Sequence, residues 1–126
     1  MGNEEFKAKL INKSFSFSLS LIKFVSNLPN TNIFKVISDQ LLRSGFSIGA
    51  NIAEGQGGSS KNDFKNFIQH SYKSSIETRY WLALIEKNEL NLNKEGIIEL
   101  ISEAKELSKI LASILLTLKG KKILNS

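Results

Sequence analysis

The chain has 126 residues, 41% of them hydrophobic and 23% charged, which fits one globular domain with enough apolar surface to form a core without staples. It has no cysteine, so disulfide frameworks and thiolate metal sites are excluded, and a single proline argues against sheet-rich or loop-rich folds. The formal charge of +5 and isoelectric point near 9.5 favour contact with polyanions.

Four segments show helical periodicity. The first is expected over about 4–28, where Leu10, Phe17, Leu21, Phe24 and Leu28 form an inward stripe widened by Ile11 and Val25. It stops at Asn27-Leu28-Pro29-Asn30, because a proline just past a helix end cannot continue it. The second is expected over 33–54, with Phe34, Ile37, Leu41, Ile48 and Ile52 inward. Its interior glycines, Gly45 and Gly49, each cost about 1 kcal/mol relative to alanine, so a neighbouring helix is expected to approach closely there. Gly55-Gln56-Gly57-Gly58 ends it.

The third helix is expected over 60–87, opened by Ser60 and Asp63 in the manner of a capping box. Its stripe is Phe64, Phe67, Ile68, Ser71, Ser75, Leu82 and Ile85. The fourth is expected over 94–118 with Asn93 as N-cap, and Lys119, Lys121 and Lys122 suit the negative end of its dipole. Short connections place consecutive helices antiparallel and adjacent. The expected fold is an all-α, antiparallel, up-down-up-down four-helix bundle forming one domain over 1–126.

Catalytic and cofactor motifs fail on context. Gly45-Phe46-Ser47-Ile48-Gly49 matches G-x-S-x-G, but a nucleophile elbow needs a strand before the serine, and here the match lies inside a helix. The Gly55–Lys61 run lacks the G-K-[ST] ending of a phosphate loop. A di-iron bundle needs two Glu-x-x-His motifs, and the chain has one histidine, His70, preceded at that distance by Phe67. The expectation is a protein without enzymatic activity, metal or cofactor. The first residues, Met1-Gly2-Asn3-Glu4-Glu5, are acidic where a secretion signal is basic, and the longest apolar stretch, Leu111–Leu118, is too short for a membrane span. A cytoplasmic location is expected.

Polar residues interrupt the stripes in a pattern. Arg43, Ser47, Asn51 and Glu54 share one face of the second helix, and Lys73 and Glu77 stand four apart on the third. Antiparallel packing about the glycine turn places Arg43 near Ser74 or Glu77, and Ser47 near His70. An Arg43–Glu77 pair is expected within a structural polar network of Arg43, Ser47, Asn51, Glu54 and Glu77. Aromatic and apolar positions outside a single stripe (Phe15, Phe46, Tyr72 and Trp81) point to self-association.

The run Gln40-Leu41-Leu42-Arg43-Ser44, then Ser47-Ile48, then Asn51-Ile52-Ala53-Glu54-Gly55, resembles the signature of the four-helix-bundle proteins encoded in intervening sequences of bacterial 23S ribosomal RNA genes. Ser60, Asp63-Phe64, Lys73, Glu77, Tyr80 and Trp81-Leu82 continue the likeness, which covers about Ser14 to Lys119. Gly49 stands where many members have proline, and Gly57-Gly58 where many have a more basic turn. The resemblance implies a four-helix bundle and homo-oligomers, often five-fold rings. A related branch, the accessory proteins of diversity-generating retroelements, binds a reverse transcriptase and its RNA through basic surface, which makes RNA, DNA or a reverse-transcriptase-like protein the implied partners. The surplus positive charge falls in the first, third and fourth segments, the second being neutral, and no segment is a basic block. Candidate nucleic-acid contacts are Lys61, Lys65, Lys73, Arg79, Lys119, Lys121 and Lys122, and the competing reading is a protein-protein scaffold or accessory subunit whose basic charge is incidental.

Overall fold

A computed structural model describes residues 3–90 and 93–120. Its four helices are α1 (Asn3–Val25), α2 (Asn32–Gly55), α3 (Lys61–Lys87) and α4 (Ile97–Leu118). Among the described residues there is no strand, and no helix is long and apolar enough to cross a membrane.

The helix ends follow local chemistry. Thr31 caps α2 by accepting from Phe34 N at 3.3 Å. Ser60 caps α3 by accepting from Asp63 N at 3.1 Å, while the Asp63 carboxylate accepts from Ser59 N at 3.2 Å. The return bond of the box therefore reaches the residue before the cap, and α3 begins one residue later than the sequence suggests. At α4 the expected start is wrong by one turn. The Asn93 side chain accepts from Glu95 N in a local turn, and Gly96 stands at the N-cap with φ 91°, so α4 opens at Ile97. α1 ends at Val25, ahead of the expected Leu28, with the next residues in a turn before Pro29.

The helices run antiparallel in chain order. Across α2 and α3, Ile48 meets Ser71, Ser47 meets Ser74, Ser44 meets Thr78 and Arg43 meets Glu77, so one number rises as the other falls. Ser75 with Ser108, and Glu86 with Lys94 just ahead of α4, do the same for α3 and α4. The interior is built from Leu10, Phe17, Leu21, Leu41, Ile48, Ile52, Ile68, Leu82, Ile85, Leu107 and Leu111, all essentially solvent-free. It is an all-α, antiparallel four-helix bundle.

Small residues set the spacing of two seams. A Cβ placed on Gly45 would overlap Leu21 Cδ1, and one on Gly49 would lie 3.2 Å from Ser14 Oγ, so α1 crosses α2 where α2 has no side chain. The α2–α3 seam is lined by hydroxyls. Ser71 Oγ donates to Ile48 O at 2.8 Å and Thr78 Oγ1 to Ser44 Oγ at 2.9 Å, and at the α3–α4 seam Ser108 Oγ donates to Ser75 Oγ at 2.9 Å. Among the described residues no buried side-chain polar atom lacks a partner.

Candidate nucleic-acid interface

Helix α4 sorts its charges onto two sides. Glu99, Glu103 and Glu106 recur at four- and three-residue spacing and line the seam with α1. There Lys13 Nζ lies 3.0 Å from Glu106 Oε1. Burial in this seam raises the pKa of Glu103, Lys13 opposes the rise, and Glu106 and Glu99 add to it. Lys105 stands on the other side of α4, in a shallow groove against α3 lined by Ile76, Arg79, Tyr80, Ala83, Glu86 and Ile101. Lys109 follows it by four residues and shares its side.

The antiparallel register fixed by Ser75 and Ser108 then sets the α3 and α4 cations side by side. Lys105 lies level with Arg79, Lys109 with Lys73, and Lys119 with the first turns of α3 that carry Lys61 and Lys65. The row from Lys61 to Arg79 extends ~27 Å at 1.5 Å per residue. Among the described residues the acid lining the groove within it is Glu86, whose Oε1 lies 3.7 Å from Lys87 Nζ. Lys94 Nζ is engaged by the carbonyls of Glu86 and Asn88 at 2.8 Å each, tying down the start of α4.

Arg79 lines the α3–α4 groove, helical spacing sets Lys61, Lys65 and Lys119 on the same side, and Lys73 stands at its outer margin, one turn before Glu77. Lys121 and Lys122 lie outside the described residues. Lys105 and Lys109 join the row although sequence reasoning passed over them. The signal was present in α4: lysines four apart, out of phase with glutamates at four and three. Adding charge by segment concealed it, because the sorting is by face.

The polar residues of α2 and α3 form a separate ridge. Arg43 bonds Glu77 and also donates to Gln40 Oε1 at 2.8 Å, and Trp81 Nε1 donates to Glu77 Oε2 at 2.9 Å. Ser47 Oγ accepts from Asn51 Nδ2 at 2.9 Å and from Ser74 Oγ at 2.8 Å. Ser74 therefore takes the place expected for His70, which is exposed. Glu54 is exposed and makes no polar side-chain contact among the described residues, so it stands apart from the network. No group of His, Cys, Asp and Glu able to hold a metal occurs among the described residues.

A third surface is apolar. Phe15, Leu19 and Ile22 lie on one outward row of α1, 64%, 53% and 49% exposed. Ser14–Ile22 reads Ser-Phe-Ser-Phe-Ser-Leu-Ser-Leu-Ile, an alternation without charge. Wound into a helix, it sends Phe17 and Leu21 into the core and leaves Phe15 and Leu19 outside. Phe46, next in sequence to the Gly45 crossing point on α2, is 38% exposed.

Four antiparallel helices, hydroxyl-lined at one seam and charge-sorted at another, define a small helical-bundle protein. The chain matches the 23S rRNA-intervening sequence protein family over residues 7–113, and it belongs to that family. A crystal structure of a protein of unknown function from the S23 ribosomal protein family of Bacteroides thetaiotaomicron is similar. It is 35% identical, the match covers 84% of this chain and 97% of the other, and the TM-score is 0.75. No curated protein matches the sequence.

Proposed function

We propose that this chain is a non-enzymatic, cytoplasmic, self-associating bundle that binds RNA or DNA weakly and without sequence preference. The observation that carries the reading is the charge sorting of α4, which adds Lys105 and Lys109 to the α3 cations and turns the glutamates toward α1. Phosphate neutralisation by such a row releases counterions and reads no base, so affinity falls steeply with salt. The apolar α1 row supports self-association, which multiplies the basic face. Family likeness favours five copies.

Filter binding at about 50 mM salt tests this, since non-specific dissociation constants lie at roughly 10⁻⁴ to 10⁻⁶ M at physiological salt. Replacing Lys105 and Lys109 with glutamine weakens binding equally for all sequences and flattens the salt slope. Replacing Lys9 and Lys23, on the α1–α4 side, does not. Wild-type protein retaining no nucleic acid at tens of micromolar, on the scale of those constants, leaves the second reading, a protein-protein accessory subunit. Exposed Phe15, Leu19 and Ile22 favour that alternative, with a reverse-transcriptase-like protein as one partner.

A further inference from the structure

A surface that holds only duplex needs cations alone, because a duplex keeps its base faces stacked inside and shows a protein its phosphates. A single strand also offers open base faces, and these favour aromatic and apolar side chains set among cations. The α3–α4 face is of the second kind. Between its cations stand Tyr80 at 60% exposure and Ile76 at 42%, with Leu116 at 52% between Lys109 and Lys119 and Ile98 at 62% near the start of α4.

Tyr80 is the most specific of these. Its ring meets Trp81 edge to face, with centroids 5.0 Å apart and planes at 76°. Trp81 is in turn fixed through Nε1 to Glu77 Oε2, and Glu77 is held by Arg43. The exposed ring is therefore braced from behind by a chain of contacts that reaches α2. A braced aromatic gives up little freedom when a base settles on it. Arg79 adjoins it in sequence, and Lys105 lines the same groove from α4, so two cations stand beside a base placed there.

We infer that the α3–α4 face binds single-stranded RNA or DNA in preference to duplex, with Tyr80 as the platform on which a base stacks. The inference rests on the nucleic-acid reading above and narrows its ligand class. Arg79 and Lys105 take the flanking phosphates, and Trp81, the chain's one tryptophan, reports on the event from 5.0 Å away.

The test is fluorescence anisotropy with a labelled oligothymidylate, its oligouridylate counterpart and a blunt duplex of equal length, about 16 nucleotides. Wild type binds both single strands more tightly than the duplex, and the single strands shift Trp81 emission. Tyr80→Ala weakens single-strand binding by roughly 5- to 150-fold, the range for loss of one stacked base, and leaves duplex binding unchanged. Tyr80→Phe retains the wild-type preference. Lys105→Gln with Lys109→Gln weakens both ligands. Because Tyr80 is exposed, unchanged helical circular dichroism verifies that the variants are folded. Equal single-strand binding by wild type and Tyr80→Ala, or a preference for duplex, overturns the stacking inference while leaving general nucleic-acid binding intact. Failure of wild type to bind any of the probes overturns both.

Discussion

Trp81 and Arg43 share one oxygen: the indole Nε1 and the guanidinium Nη2 both bond Glu77 Oε2, so one carboxylate ties α2 to the outer edge of α3. The ion pair is open to water, with side-chain exposures of 56% for Arg43 and 37% for Glu77. Screening at that exposure limits the pair to below about 1 kcal/mol. Arg43→Ala is expected to lose no more than that in denaturant unfolding. Glu77→Ala is expected to lose about 1 kcal/mol more, because the part-buried Trp81 N–H loses its charged acceptor. A double-mutant cycle on Arg43 and Glu77 reads the coupling directly, and a coupling of several kcal/mol would contradict the exposed geometry.

Gly45 and Gly49 look alike in the sequence and differ in the fold. Gly45→Ala gains about 1 kcal/mol of helix propensity but drives a methyl into fully buried Leu21, and overpacking costs about 1–3 kcal/mol. A net loss of stability is expected, partly recovered by adding Leu21→Val. Gly49→Ala meets only Ser14 Oγ at 3.2 Å and is expected to be near neutral. Thermal unfolding of the three variants decides the matter. A Gly45→Ala protein as stable as wild type would mean that α1 can move away from α2.

The fold was legible because the apolar stripes carry the helical period over long stretches, and because Pro29 and the Gly55–Gly58 run punctuate them. The α4 start was not, since Asn93 has the chemistry of a cap but spends it on Glu95 N, one turn before the helix. Counting from the turn pairs Arg43 with Glu77, as observed, but also Ser47 with His70, whereas Ser47 bonds Ser74, one turn further along α3. The basic face was the largest omission. It arises only when α4 packs against α3 at Ser75–Ser108, a contact between residues 33 apart in the chain.

Glu103 gives the bundle a pH signature. Burial raises its pKa above the ordinary 4.5, against the pull of Lys13 and with the push of Glu106 and Glu99. The folded state therefore binds this proton more tightly than the unfolded chain does. Its contribution to stability is present at low pH and is lost as pH rises from the unfolded value through the folded one. Above that window ionised Glu103 is a constant, small burden, because the side chain is only partly buried. Glu103→Gln is expected to raise the midpoint of thermal unfolding at pH 7 and to give no gain at about pH 3. An equal gain at both pH values would place the effect in packing and not in ionisation.

The outward row of α1 predicts how the protein meets its own kind. Phe15, Leu19 and Ile22 stand at 64%, 53% and 49% exposure on a stretch with no charge between Lys13 and Lys23. Exposed apolar rows of this sort mark contact surfaces, whereas scattered exposed apolar residues need no explanation. Leu19 is the centre of the row and touches solvent in the single chain, so Leu19→Glu costs the isolated bundle little: surface substitutions lie within about 0.5 kcal/mol. In an assembly the same change buries a carboxylate without a partner, which is strongly unfavourable. Sedimentation equilibrium is expected to show wild type as an oligomer at micromolar concentration and Leu19→Glu shifted toward the 14.1 kDa chain, with the same helical content. Lys35→Glu, a change of charge at an exposed site on α2, serves as the control and leaves the assembly intact. A wild-type protein that sediments as a monomer removes self-association from the proposed function. An oligomer unaffected by Leu19→Glu moves the contact to another face of the bundle.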